Sequence, residues 1–217
     1  NMGQYLADAA RSVLNQTWKN LELIVIDDGS TDNTSQVMEP LLSDPRVKYL
    51  PQKNAGQPKA KNAGIRACSG DFIAFCDGDD LWAPRKLELQ MACMRDKPHV
   101  GVVYSRVDYM DQDGKFTRHD VPHGHSGKIT DQLIVYNFIP FGTAMVRKRV
   151  LDQCGIFDES LPMGIDWDLW LRVSTAWEFC FLPEVTYLYR EWPGQMSKNF
   201  RGRYINAFRI MNKFFDT

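Results

Sequence analysis

Hydrophobic positions recur along this chain with two periods, and the switches between them mark its elements. Tyr5, Leu6, Ala9, Ala10, Val13 and Leu14 share one face at helical spacing, so residues 1–17 read as a helix. Leu21, Leu23, Ile24, Val25 and Ile26 form a branched apolar run that reads as a strand and stops at Asp27, Asp28 and Gly29. Thr34, Val37, Met38, Leu41 and Leu42 give the next helix its apolar face, and residues 47–50 a short strand. Pro58 suits the first turn of a further helix, where Ala60, Ala63, Gly64 and Ala67 permit close packing. Residues 71–75 form an apolar strand, and Pro84 opens a helix over 84–94. This alternation predicts a mostly parallel sheet with helices on both faces. Such sheets start with a central strand and this chain starts with a helix, so a strand ahead of Asn1 is expected.

Beyond Asp80 the pattern changes. A strand is expected over 100–109, a hairpin turn at 111–114, a helix over 129–137, a strand over 141–146 and a short helix over 147–153 stopped by Gly155. A helix begins at Asp166, with Trp170 and Val173 on its core side. Strands follow over 179–182 and 186–189, then a loop over 189–197. Tyr204, Phe208, Ile210, Met211 and Phe214 mark an amphipathic C-terminal helix. The chain divides into residues 1–99, residues 100–199 and the helix 200–217, the first two being halves of one domain.

With 217 residues and a net charge of −1, nothing suggests broad binding to nucleic acid. No apolar run approaches the roughly 20 residues of a membrane span. The five cysteines have no metal-site spacing and lie in or beside apolar stretches, which predicts buried free thiols in a reducing compartment.

The chemistry concentrates at Asp77, Asp79 and Asp80, three carboxylates in a turn at the carboxyl end of a strand, the edge where α/β sheets bind ligands. Their mutual repulsion calls for a cation or hydrogen-bond donors. Asp77 and Asp79 suit one hard divalent ion, Mn2+ or Mg2+, with a diphosphate and water completing the shell. A polar turn with capping aspartates is the other reading. Lys59 and Lys61 are placed to meet phosphate or to stay solvated. His119, His123 and His125 lie in a polar loop whose spacing fits no metal template. Asp166 stands at a helix start, as a working carboxylate or as a plain N-cap.

Taken together, these motifs resemble glycosyltransferase family 2, the inverting nucleotide-sugar transferases of the GT-A fold. The marks are the 12–17 run, Asp27-Asp28-Gly29-Ser30, Asn62-Ala63-Gly64, Asp77-Gly78-Asp79-Asp80, Gly155-Ile156-Phe157-Asp158-Glu159 and Asp166-Trp167-Asp168-Leu169-Trp170, in the family's order. The resemblance implies a GT-A, Rossmann-like sheet with a smaller antiparallel portion on the acceptor side. It assigns Asp28 to the nucleotide base, Asp77 to the ribose side, Asp79 to the metal that bridges the diphosphate, Asp80 to the donor sugar and Asp166 to the general base. Lys59 and Lys61 would join the donor site. One sugar would move from a nucleotide sugar, a UDP-sugar by expectation, to a saccharide, lipid-linked or protein acceptor. The family also implies a bacterial role in polysaccharide assembly and a cytoplasmic location, peripheral at the inner membrane, with the last helix a possible membrane or homodimer contact. Three positions depart from the family pattern: Ile165 stands for Glu, Lys61 for Arg, and Trp192 for a His that often helps hold metal. Trp192 and the missing opening strand leave a non-catalytic nucleotide-sugar-binding or partner-binding GT-A domain as the alternative.

Overall fold

The apolar stripe of the first helix, α1 (Gly3–Leu14), buries Leu6, Ala9, Ala10, Val13 and Leu14, as the spacing requires. The computed structural model describes residues 1–121 and 124–216. After α1 the chain forms β1 (Leu23–Asp28), α2 (Thr34–Met38), β2 (Val47–Gln52), α3 (Gln57–Ala67) and β3 (Phe72–Ala74). Pro40 limits α2, and the chain continues as a 3-10 turn over Glu39–Ser43. Next come β4 (Leu81–Trp82), α4 (Lys86–Arg95), β5 (Val100–Met110), β6 (Phe116–His119), α5 (Thr130–Val135) and β7 (Met145–Arg147). Then follow α6 (Lys148–Cys154), α7 (Ile165–Ser174), β8 (Glu178–Arg190) and α8 (Phe200–Phe215).

The α/β alternation is found, with its strands in two sheets. β1 and β2 pair in parallel. The other six strands form one sheet in the order β3-β7-β5-β8-β4, with β6 also on β5. Within it β5 and β8 run parallel, and the pairings β3–β7, β5–β7, β5–β6 and β4–β8 are antiparallel. The antiparallel part is therefore larger than the alternation suggested, because the hairpin turn at 111–115 and the return through β7 reverse the chain. Between β1 and β3 lies a cleft of about 710 Å³, walled on one side by α3.

β5 is the central strand, and its apolar residues are buried on both faces. β8 corrects one expectation. The two strands predicted there are a single strand paired along β5, and a register shift between Ser105↔Leu182 and Arg106↔Val185 takes Pro183 and Glu184 out of the ladder. The cysteines give a second correction. Cys93 on α4 and Cys180 on β8 are joined as a disulfide because α4 packs on this sheet; Cys68, Cys76 and Cys154 are free.

Two sequence motifs prove to be one structural contact. Buried Asn62 of α3 donates to Phe157 O at 2.9 Å and accepts from Phe157 N–H at 3.0 Å. Its amide also donates to Glu159 at 2.9 Å. This clasp ties α3 to the segment that leads into α7.

Candidate active site

The turn that follows β3 is fastened to the carboxyl end of β8. β4 pairs antiparallel with β8, Leu81 opposite Leu188 and Trp82 opposite Tyr187. This register places the buried Tyr187 hydroxyl between two parts of the turn. The hydroxyl accepts from Asp77 N–H at 3.2 Å and donates to Asp80 Oδ2 at 2.8 Å. Arg190 N–H donates to Asp80 Oδ1 at 2.7 Å, and its guanidinium Nε donates to Asp79 O at 2.7 Å. The guanidinium also reaches Gln112 O at 3.0 Å and lies 4.4 Å from the centre of the Tyr5 ring. The donors to the Asp80 carboxylate thus come from the far end of the chain.

Each carboxylate has its own partner. Lys61 Nζ contacts Asp77 Oδ1 at 2.7 Å and sits 4.1 Å over the Phe141 ring. Trp192 Nε1 donates to Asp79 Oδ2 at 2.8 Å. Burial, with the charges of Asp77 and Asp79 beside it, pushes the Asp80 carboxyl up to about 8.

Asp166 faces this turn across a cleft of about 1270 Å³ lined by Lys61, Asp77, Asp79, Asp80, Asp166 and Trp192 among others. It is not the N-cap of α7. Gly164 holds that position in the left-handed conformation, φ 73°, and Asp166 lies in the first turn. Its Oδ2 accepts from Asn137 Nδ2 at 2.8 Å. Burial raises its pKa; the Asn137 hydrogen bond, nearby backbone N–H groups and the Lys61 charge pull the other way. Trp167, whose indole donates to Leu133 O at 2.7 Å, lines the cleft, whereas Trp170 is wholly buried in the core.

Asp28 and Lys59 are placed outside that lining. Asp28 ends β1, and its oxygens accept from Gln52 Nε2 at 2.7 Å, Ala55 N–H at 2.9 Å and Gly56 N–H at 2.8 Å. It therefore shapes the loop that leads into α3. Lys59 is exposed on α3, with its charge near Glu159. His119 contacts Asp108 at 3.1 Å, and the His125 ring packs on Phe138; His123 lies outside the described residues. Among the described residues no three His, Cys, Asp or Glu side chains are grouped to hold a metal. Tyr187, Arg190 and Asn137 were not singled out by sequence reading. No local pattern marks them, because strand register and packing alone bring them to the carboxylates.

Residues 1–155 match glycosyl transferase family 2, and the chain belongs to that family. It is a glycosyltransferase domain with the GT-A arrangement. An uncharacterized glycosyltransferase of Rickettsia bellii is 35% identical over 177 residues, 81% of this chain and 25% of the relative. Chondroitin synthase of Escherichia coli is 30% identical over 190 residues, 86% of this chain and 27% of the relative. The chain thus spans about a quarter of these relatives' length. Among solved structures, S. aureus TarS in complex with UDP-GlcNAc superposes with a TM-score of 0.78 at 20% identity, covering 98% of this chain and 63% of TarS. A mannosyltransferase of Pyrobaculum calidifontis in complex with GDP-Man and Mn2+ gives 0.70 at 16% identity, covering 99% of this chain and 61% of the other. These two likenesses are likenesses of fold.

Proposed function

We propose that this chain transfers one sugar from a UDP-sugar to an acceptor hydroxyl, with inversion at the anomeric carbon. The observation that carries this reading is the placement of Asp166 opposite the Asp77–Asp80 turn, with Lys61 adjoining both. Asp166 takes the proton of the attacking hydroxyl, and Asn137 holds its carboxylate toward the cleft. Lys61 contributes positive charge where the diphosphate leaves. Asp28 fixes the loop that receives the nucleotide base, and Asp80, held by Tyr187 and Arg190, closes the floor under the donor sugar. Lys59 serves at most the outer approach, because it lies off the cleft lining.

Asp77 and Asp79 would hold Mn2+ or Mg2+. The fit is that of a partial cage: Asp77 Oδ2 and Asp79 Oδ1 accept no protein hydrogen bond among the described residues, and a donor diphosphate with water suits the remaining positions. When bound, the ion neutralises charge on the leaving diphosphate. The acceptor side is aromatic, with Tyr136, Trp167 and Tyr204 on the cleft wall, which favours a saccharide acceptor. No described helix is long and apolar enough to cross a membrane. The exposed face of α8 supports peripheral attachment to a membrane surface.

Calorimetric titration with UDP, with GDP as control, with and without Mn2+, tests the reading. UDP binding that requires Mn2+ and vanishes in Asp79→Ala is expected. In Asp166→Asn, UDP binding should persist while transfer is lost. Equal loss of binding in both variants would make Asp166 a structural carboxylate. Binding of UDP with no transfer in the unsubstituted chain would favour a non-catalytic domain, the reading to which the Trp192–Asp79 hydrogen bond lends weight.

A further inference from the structure

Trp192 stands on one of the two Asp79 oxygens that a cation could use. Its indole Nε1 donates to Asp79 Oδ2 at 2.8 Å, and Asp79 is only 9% exposed, so the N–H replaces much of that carboxylate's hydration. Hydrogen bonds from a neutral donor to an ionised, sheltered carboxylate are among the stronger ones a protein makes. Asp77 is engaged in the same way, its Oδ1 by Lys61 at 2.7 Å. The two carboxylates are left with one oxygen each for an ion. Most of an octahedral shell then falls to water and to the donor.

Resting on the reading that Asp77 and Asp79 face a divalent ion, we propose that Trp192 competes with that ion for Asp79, so that the site takes the ion together with the donor diphosphate and does not keep it as a resident. The contact is built to break by rotation of one side chain. Trp192 N–H donates to Gln195 Oε1 at 3.2 Å, Lys198 Nζ donates to Trp192 O at 2.9 Å, and Gln195 Nε2 donates to Arg190 O at 2.5 Å. The backbone of the loop is thereby pinned on both sides of the indole. Only the ring has to move, and the neighbouring cleft gives it room. An ion arriving alone must either take Asp79 through Oδ1 while the N–H draws on the carboxylate's charge, or displace the N–H, with only water to complete its shell; an ion carrying a diphosphate brings further ligands. Binding of ion and nucleotide is then strongly coupled, and by linkage each raises the other's affinity by the same factor.

Mn2+ binding, read from the electron paramagnetic resonance of the free ion, with and without UDP, tests this in the unsubstituted chain, Trp192→Phe and Trp192→His. Phe keeps the ring and removes the N–H. Trp192→Phe should bind Mn2+ alone ~10-fold more tightly, the scale of a lost hydrogen bond to a charged group. It should also show a smaller coupling factor with UDP. Trp192→His should bind Mn2+ more tightly still. In the unsubstituted chain, Mn2+ with UDP, and not Mn2+ alone, should change the emission that is missing from Trp192→Phe. Unchanged or weaker Mn2+ binding in Trp192→Phe would overturn the proposal and make the indole a donor that orients Asp79. Absence of Mn2+ binding in all three chains, even with UDP, would overturn the metal reading itself.

Discussion

Asp166 sits in the first turn of α7, two residues past the cap at Gly164, and this small offset lets it serve as more than a cap. A capping carboxylate spends its oxygens on the helix's own N–H groups. Asp166 shares its oxygens between N–H groups of its own turn and Asn137, and it lines the cleft. Its pKa is raised by burial, which shifts its proton-accepting form to higher pH than in an ordinary aspartate. The acid limb of kcat should therefore lie above the ordinary aspartate value. The Asn137 hydrogen bond favours the ionised form, so its removal in Asn137→Ala should move the limb to higher pH. At high pH kcat should recover toward the unsubstituted value, as profiles of kcat against pH will show. A limb that moves down, or stays in place, would mean that Asn137 does not act through Asp166. Much of this site was legible in the sequence because Asp77, Asp79 and Asp80 are neighbours, and a strand followed by an acidic turn is a local pattern. Asn137, Tyr187 and Arg190 were illegible for the opposite reason. Arg190 reaches Asp80 across 110 positions, through a register that depends on the bulge at Pro183.

At the scale of elements, helices came out of the sequence with ends shifted by a few residues, and the strands were harder. The strand predicted over 141–146 is a 3-10 turn at Phe141–Thr143 followed by β7, because Thr143 is used elsewhere: its carbonyl accepts from Lys86 Nζ at 2.7 Å and Gln90 Nε2 at 2.6 Å. Lys86, in the first turn of α4, is fully buried, with its amine 5.2 Å from the centre of the Trp82 ring. Burial pushes its pKa down from 10.5 to about 7. In the unfolded chain the amine keeps its proton up to the ordinary lysine range. Between those two values the unfolded chain holds a proton that the folded chain has released, so stability rises with pH. The melting temperature should climb by roughly 2–4 °C or more between neutral pH and the ordinary lysine range, the response to about 1 kcal/mol in a chain of this size. Lys86→Met, which keeps the apolar stem and removes the charge, should flatten that rise. An equal slope in both chains, measured by calorimetry in matched buffers, would assign the pH dependence to other groups.

At the scale of the whole chain, α8 has two characters. The inner side of α8 is tied to α7 and the segment that leads into it: Lys213 Nζ meets Asp158 Oδ2 and Asp168 Oδ1 at 2.6 Å each, and Ile210 packs against Gly164, just ahead of Asp166. Burial alone would raise Asp158, but hydrogen bonds from Lys213 and Ser160 outweigh it and hold it at about 2. The outer side leaves Phe200, Tyr204, Phe208 and Phe215 more than half exposed, four positions that fall on one stripe at helical spacing. Arg201, Arg203 and Arg209 flank that stripe. Aromatic residues bordered by arginines are the pattern of a helix that lies in a lipid interface, where apolar burial and attraction to anionic headgroups add. Tyr204 and Arg203 also line the cleft, so a surface that receives the stripe would stand beside the acceptor side. The chain should co-sediment with vesicles containing an anionic phospholipid, less so as salt is raised, and should leave vesicles of neutral phospholipid in the supernatant. Phe208→Ser with Tyr204→Ser should abolish the pelleting without changing UDP affinity, since neither residue touches the carboxylate turn. If the stripe serves a second copy instead, the unsubstituted chain will show a concentration-dependent dimer by sedimentation equilibrium, the double variant will be a monomer, and vesicles will pellet neither. The two outcomes exclude each other at one concentration because both need the same four rings.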